Sequence, residues 1–599
     1  MSTSILEHLR EHARVHANLP AYGEKIDGSW KETDWESYDR QIRTCARGLM
    51  TLGLGSRQTV AILGINCPQW AIACLGTMSS HGISVGIYRT SSPQQVAYIL
   101  NHAEAPIAVV EDRAQLAKIQ EVRDQVSSLQ HVVLMSEASV KDEEGIWGWQ
   151  DLLDAGAETS EDAFEERFQK IQGDDTATFI YTSGTTGEPK AVMLSHSNLL
   201  NTGRIGNDLH GFSTEDSIIS YLPLAHVAEQ MMSVHMPAYV GYTVYYAEAP
   251  EKLLDHLLEL RPTIFFAVPR VWEKFYAKIS ERLEQAGPVS KALLSWTIKV
   301  GGQYTEIVNQ GRTPGLGLRL RWKFTDSKIA GRLRGRLGMD NIRLAASGAA
   351  PITREILDFF AGIGVCIYEV YGLSETCGPG TWNSAGATKL GTVGPALPEV
   401  ELRLDEGGEV LFRGPNVFQG YFKNEENTRA ALDDDGWFHT GDLGAVDADG
   451  YLTITGRKKE LIITSGGKNI APNGIESKLK EVTLIGDAMV VGDNRRFLVA
   501  LLTVEEEGLA TVKDRNPDLP AHEDPAVRQV IVDAVQAVNR QLARVETVRN
   551  IRILAERLSP DTGELTPTLK LRRAVIQERY AAEIDAMYEE GQTIRPDQD

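Results

Sequence analysis

Long apolar runs are missing from this sequence: no window approaches the roughly 20 apolar residues that a membrane-spanning helix needs. Cysteine is scarce, and the five present (Cys45, Cys67, Cys74, Cys366 and Cys377) form no CxxC pair and no zinc-type spacing. They read as reduced thiols of a cytoplasmic protein. Positive charge is outweighed as well: 61 Lys and Arg against 82 Asp and Glu give a formal net charge of -21. A field of that sign repels polyanions, so no nucleic-acid partner is expected, and any anionic ligand must be held by local features. No internal repeat and no low-complexity tract is visible. The first twenty residues mix charged and apolar side chains at helical spacing and lack the continuous apolar core of a signal peptide. The expected location is cytoplasmic, with any membrane contact peripheral, at the inner membrane surface.

What is present is the composition of an ordinary globular chain, 42% hydrophobic and 24% charged over 599 residues. One hydrophobic core does not grow to that size, so at least two domains are expected. Short apolar runs, TVAILG (59–64), IAVVE (107–111), HVVLM (131–135), TATFIYT (176–182), IISYL (218–222), TIFFAV (263–268), IRLAAS (342–347) and VCIYEVYG (365–372), alternate with amphipathic segments of helical period. That alternation predicts parallel strands buried between helices. From about Val400 the texture changes to short strands with Gly and Asp turns, as in an antiparallel sheet. After Arg457 comes a strand (ELIIT), a glycine-containing loop (SGGKN) and a helix, and a later helix places Val527, Ile531, Val538 and Leu542 along one face. The expected fold class is α/β. A large N-terminal domain of layered β-sheets and helices spans 1–458, with a small antiparallel β subdomain at about 400–458, and a small α+β domain follows at 459–599.

Residues 287–338 carry few strand signals and a cluster of Arg319, Arg321, Lys323, Lys328, Arg332, Arg334 and Arg336. A solvated helical face is one reading. Attraction to an anionic membrane surface or to the phosphates of coenzyme A is the other.

Five segments carry chemistry. YTSGTTGEPK (181–190) follows a strand and sets two glycines and four hydroxyl residues beside one lysine, the parts of a phosphate cradle. It is not a P-loop, because GxxxxGK[ST] is absent. YEVYGLSET (368–376) places Glu375 among small polar residues, where a carboxylate suits a magnesium ion that bridges phosphate oxygens. HTGDLG (439–444) sets Asp442 in a turn, as a ribose-diol acceptor or a plain turn-former. GRKKELIITSGGKNIAPNGIE (456–476) and GELTPTLKLRR (563–573) complete the set. In the last, Pro567 interrupts regular structure just before Lys570.

Together and in this order, these segments resemble the adenylate-forming superfamily of acyl-CoA synthetases, firefly luciferase and peptide-synthetase adenylation domains, over nearly the whole chain. YLPLAHVAEQ (221–230), VPRVWEKFY (268–276) and the helical stretch that follows are similar to long-chain fatty acyl-CoA synthetases of the bubblegum group. The length leaves no room for a carrier-protein or reductase domain, so a free-standing ligase is expected.

The resemblance implies two half-reactions at one site: a fatty carboxylate attacks the α-phosphate of ATP, then the thiol of coenzyme A attacks the acyl-AMP. Thr182, Ser183, Gly184, Thr185, Thr186, Gly187 and Lys190 would hold the β- and γ-phosphates, and Glu375 would ligate Mg2+. Gly348, Ala349 and Ala350, with Glu369, Tyr371 and Gly372, match the adenine-binding segments, and Asp442 and Arg457 the ribose contacts; Thr376 is implied among the ATP-binding residues. Lys570 would bridge the carboxylate and the α-phosphate, and His226 would lie beside the acyl carboxylate. Thr182, His226, Glu375 and Lys570 are thus the implied catalytic set. The small domain would be mobile, rotating about Lys459, and Ser465, Gly466, Gly467 and Lys468 would line the pantetheine channel. Phe265, Phe266, Val268, Trp272, Met231 and Met232 are candidates for an acyl tunnel. A fatty acyl-AMP ligase that delivers to a carrier protein, or a catalytically silent acyl- or ATP-binding protein, are the alternatives. Chain length of the acid and oligomeric state are not legible.

Overall fold

The computed structural model describes residues 4–182, 188–284, 287–465, 468–559, 562–566 and 570–594. Two eight-stranded sheets form its body. One runs, in spatial order, Gly378–Trp382, Ile367–Leu373, Leu344–Ser347, Ile264–Ala267, Ser217–Ser220, Thr243–Tyr246, Pro20–Ile26 and Ser29–Asp34. The other runs Gly420–Tyr421, Lys190–Ser195, Thr176–Thr182, Ile83–Ile87, Thr59–Leu63, Ile107–Val110, His131–Leu134 and Ile146–Gly148. Inner strands pair in parallel and antiparallel pairs sit at the edges.

The expected strands are all present, and their side-chain alternation sets the layers. In Thr59–Leu63, Val60 and Ile62 face a core shared by both sheets and the helices Trp35–Thr51, Pro68–Ser79 and His196–His210, while Ala61 and Leu63 face helices on the far side. In Ile264–Ala267, Phe266 faces the shared core and Phe265 an outer one with Trp272 and Phe360. A period of two in strands buried on both faces produces this helix-sheet-helix-sheet-helix stacking.

The small antiparallel sheet is Glu401–Leu404, Glu409–Arg413, Phe438–Val446 and Leu452–Arg457. Among its ties to the body, Gly420 and Tyr421 pair with Met193 and Val192, and Asn198 Nδ2 donates to the carbonyls of Pro415 and Val417, each at 2.9 Å. Beyond it, the strands Ile485–Val491, Leu498–Val504 and Val548–Ile553 form a three-stranded sheet with an apolar cluster on each face.

Two expectations need correction. The strand expected from ELIIT is only Ile462–Ile463, paired antiparallel with Asn469–Ile470. The helix Pro525–Asn539 buries Val527, Ile531 and Val538 but ends before Leu542. Asn539 turns its amide onto the backbone of Val548, at 2.8 and 2.9 Å, and the chain leaves the helix there. The five cysteines are unpaired, and among the described residues no helix is long and apolar enough to cross a membrane.

Candidate active site

The strands Thr176–Thr182 and Lys190–Ser195 pair antiparallel, with Thr182 opposite Lys190. The two residues that flank the glycine- and threonine-rich segment are therefore fixed beside each other by the sheet. Ser183, Gly184, Thr185, Thr186 and Gly187 lie outside the described residues. Lys190 Nζ donates to Asn427 Oδ1 at 2.5 Å and sits 4.9 Å from the centre of the Tyr421 ring. Desolvation, with the Lys459 ammonium as a like-charged neighbour, lowers its pKa.

A cleft of about 1040 Å3 has a wall that includes Thr182, Lys190, His226, Gly348, Ala349, Ala350, Glu369, Tyr371, Gly372, Glu375, Asp442, Arg457, Lys459 and Lys570. Residues remote in sequence meet here, from both large sheets, the small antiparallel sheet and the C-terminal segment. Glu375 sits in the 3-10 turn Ser374–Thr376, just past Ile367–Leu373. The turn needs glycine at 372, since a Cβ there would lie 1.8 Å from the Gly378 carbonyl oxygen. Ala349 holds a left-handed backbone, φ 69°, a strained conformation for alanine at a cleft wall.

Asp442 and Arg457 face each other across the antiparallel pair. Arg457 Nε donates to Asp442 Oδ1 at 2.9 Å and the Tyr371 hydroxyl to Oδ2 at 2.6 Å. Each carboxylate oxygen keeps acceptor capacity after one bond. The Glu375 carboxyl accepts from the Tyr421 hydroxyl at 2.8 Å, and burial raises its pKa. Glu369 accepts the Gly391 N–H at 2.7 Å, and burial pushes its pKa up to about 8. His226 Nδ1 accepts the Ala228 N–H at 3.2 Å. Burial and the nearby Lys570 ammonium hold its pKa down to about 4, so its imidazole is neutral near pH 7.

Lys570 reaches this cleft from the C-terminal segment. Desolvation and the Arg457 guanidinium lower its pKa, while Asp442, Glu375 and Glu460 act in the other direction. One ammonium is thus within electrostatic reach of the imidazole and of all three carboxylates.

The sequence profile of the AMP-binding enzyme matches residues 9–422, and that of the AMP-binding enzyme C-terminal domain matches residues 459–592. The chain belongs to the AMP-binding enzyme family. It is 36% identical over 597 residues to the long-chain-fatty-acid–CoA ligase FadD15 of Mycobacterium tuberculosis, covering 96% of each chain. It is 34% identical over 612 residues to the long-chain-fatty-acid–CoA ligase ACSBG1 of Homo sapiens, covering 96% of this chain and 84% of that one. Among solved structures, the adenylation domain of a carboxylate reductase from Mycobacterium chelonae aligns at a TM-score of 0.76 and 21% identity, covering 98% of this chain and 91% of that one. The anthranilate CoA ligase AuaEII in complex with anthranoyl-AMP aligns at 0.72 and 19% identity, covering 98% of this chain and all of that one. These likenesses carry the fold.

In this AMP-binding enzyme, Thr376 stands apart from the cleft wall, its hydroxyl 2.7 Å from the Gly378 carbonyl and 2.9 Å from the Leu373 N–H. Ser465 and Lys468 also lie off the cleft wall, in the Ile462–Ile470 hairpin, and Gly466 and Gly467 lie outside the described residues. Of the six tunnel candidates, Met231, Met232 and Phe266 line the cleft; Phe265 and Trp272 pack instead against each other in the outer core, 5.1 Å between ring centres, and Val268 is not on the wall. Met236, Val227 and Trp382, which the sequence did not single out, also line the cleft. Also missed were Tyr421 and Asn427, which hold Glu375 and Lys190, and Arg573, which is 3.4 Å from Glu460 and also pairs with Glu476 behind Lys570. A lone tyrosine or asparagine in a turn-rich stretch gives no signal of its own.

The residues present fit a magnesium ion that arrives with the nucleotide. Among the described residues no group of three or more His, Cys, Asp or Glu could cage a resident ion, whereas magnesium is commonly held by one or two carboxylates together with substrate phosphates. Glu375 supplies one such carboxylate in the cleft.

Proposed function

We propose that this protein is a long-chain fatty acid–CoA ligase that forms acyl-AMP and pyrophosphate from a fatty acid and ATP, then acyl-CoA and AMP. The observation that carries the reading is the convergence of Lys570 from the C-terminal segment with His226, Glu375 and Asp442 in one cleft that Met231, Met232, Met236 and Phe266 also line. The ligases that share about a third of its residues over nearly the full length support the same reading.

Adenylation brings two anions together, so its barrier is lowered by fixed cations and donors. Lys570 bridges the fatty carboxylate and the α-phosphate. Lys190 and the 182–187 hairpin hold the outer phosphates, Asp442 and Arg457 the ribose, and Gly348, Ala349, Ala350, Glu369, Tyr371 and Gly372 the adenine. Glu375 would hold the magnesium ion, which would supply charge neutralisation at the phosphates. Neutral His226 takes its place beside the carboxylate, where a cation is not required of it. The acyl chain lies against Met231, Met232, Met236 and Phe266 of the cleft wall.

Lys459 is the boundary between an N-terminal domain at 1–458 and a C-terminal domain at 459–599, and the hinge between them. With Lys570 in the cleft and Ser465 and Lys468 outside it, the arrangement matches the first half-reaction. Rotation about Lys459 then brings the 465–468 hairpin to line the pantetheine channel for the second.

Mass spectrometry of the products formed from Mg-ATP and fatty acids of graded length, with and without coenzyme A, tests this reading. Acyl-CoA and AMP are expected. Acyl-AMP that persists despite coenzyme A would identify a carrier-protein acceptor instead, and no AMP with any acid would overturn the enzymatic reading.

A further inference from the structure

The basic segment folds as the helices Pro288–Asn309, Leu316–Thr325 and Gly331–Leu337, and its outer face differs from a merely solvated one. Leu316, Leu320 and Phe324 are 74%, 62% and 55% exposed, and their spacing of four sets them in one row. Val289, Leu293 and Trp296 form a second exposed row on the preceding long helix. The Trp296 and Phe324 rings lie 6.3 Å apart, so the two rows adjoin. Large apolar side chains exposed in a contiguous group mark a contact surface, whereas scattered ones do not.

The charge around this patch says what covers it. Residues 287–338 hold ten Lys and Arg against two Asp and Glu, within a chain of net charge -21. Arg319 and Lys323 alternate with Leu316, Leu320 and Phe324 on the same short helix. Among the described residues no salt bridge engages Arg319, Lys323 or Lys328, while Arg334 is tied to Asp326 at 2.8 Å. A second copy of the chain would set basic against basic. No described helix can cross a bilayer, so a lipid contact through this face lies on the membrane.

We propose that this face docks on an anionic lipid surface. Leu316, Leu320, Phe324 and Trp296 enter the boundary between headgroups and acyl chains, and Arg319 and Lys323 pair with lipid phosphates. The inference rests on the helical surface and not on the ligase reading.

The test is co-sedimentation of the full chain with phosphatidylcholine vesicles, with and without phosphatidylglycerol, at about 0.05 M and about 0.5 M salt. Pelleting with the anionic vesicles at low salt is expected, reduced several-fold by high salt or by omitting phosphatidylglycerol. Arg319→Glu/Lys323→Glu and Leu320→Ser/Phe324→Ser change only exposed side chains, so thermal unfolding should stay as in the parent. Each should lower the vesicle partition coefficient at least about tenfold. Equal pelleting on both vesicle types, pelleting that neither double variant weakens, or no pelleting would overturn the proposal. So would a dimer, seen by light scattering without lipid, that the same variants dissociate, since it would assign the face to a second copy.

Discussion

The Tyr421 hydroxyl donates to Glu375 Oε1 at 2.8 Å, joining a residue of the subdomain strand Gly420–Tyr421 to the turn after Ile367–Leu373. Tyr421→Phe keeps the ring beneath Lys190 and removes only this donor. Glu375 then loses the hydroxyl donor that orients its carboxyl. The expected outcome is a rise of about three- to tenfold in the magnesium concentration for half-maximal acyl-AMP formation, with about 1 kcal/mol lost in stability. An unchanged magnesium dependence in a pyrophosphate-release assay would remove Tyr421 from the site.

Lys570→Ala deletes the ammonium that faces His226, Asp442 and Glu375. Acyl-AMP formation should fall by at least about 100-fold, as when a single preorganised charge is removed from a reacting centre. Thioester formation from supplied acyl-AMP should stay near the parent rate. Equal loss in both half-reactions would refute the assignment.

Lys459 occupies the 3-10 turn Lys458–Glu460, immediately after the strand Leu452–Arg457, and the preceding Lys458 is anchored to Glu409 at 2.8 Å. A proline at 459 restricts φ at the first free position beyond that anchor. Lys459→Pro should retain pyrophosphate release and lose thioester formation. If the two fall together in stopped-time assays, the rotation does not turn on this residue.

Glu369 is buried, and its carboxyl is pushed from 4.5 up to about 8. Between these values the folded chain keeps a proton that the unfolded chain has released, so this group makes stability fall as pH rises through that window. Glu369→Gln resembles the protonated form and keeps an acceptor for the Gly391 N–H. Urea unfolding should show the variant gaining on the parent by about 1 kcal/mol or more between roughly pH 5 and pH 8. A stability difference that does not change with pH would mean that Glu369 is ionised in the folded protein.

Much of this architecture was legible in the sequence. Period-two apolar runs such as TVAILG, bounded by turn residues, locate buried strands because both faces of such a strand must be apolar. The cleft residues were legible because they sit in compact motifs at strand ends. Less legible were positions whose role depends on which face a neighbour covers. Phe265 and Phe266 are adjacent and chemically alike, yet one enters the outer core and the other the cleft wall. Leu316, Leu320 and Phe324 have the spacing of a core stripe, and only the packing of the adjacent helices shows that nothing covers them. Asn539 ends its helix through a bond to a strand nine residues on, which no local propensity registers.

The pairing of Gly420 and Tyr421 with Met193 and Val192 also governs how the chain comes apart. The small antiparallel sheet is not an appendage, because one of its loops completes the border of the sheet that carries the 182–190 hairpin. A fragment ending before residue 420 would leave the strand Lys190–Ser195 with an open row of backbone donors and acceptors, a template for association with other chains. Among the described residues, the three-stranded unit with its two apolar clusters has no such strand exchange with the body. On heating, two cooperative steps are the natural outcome, with the body and its subdomain melting together and the C-terminal unit separately.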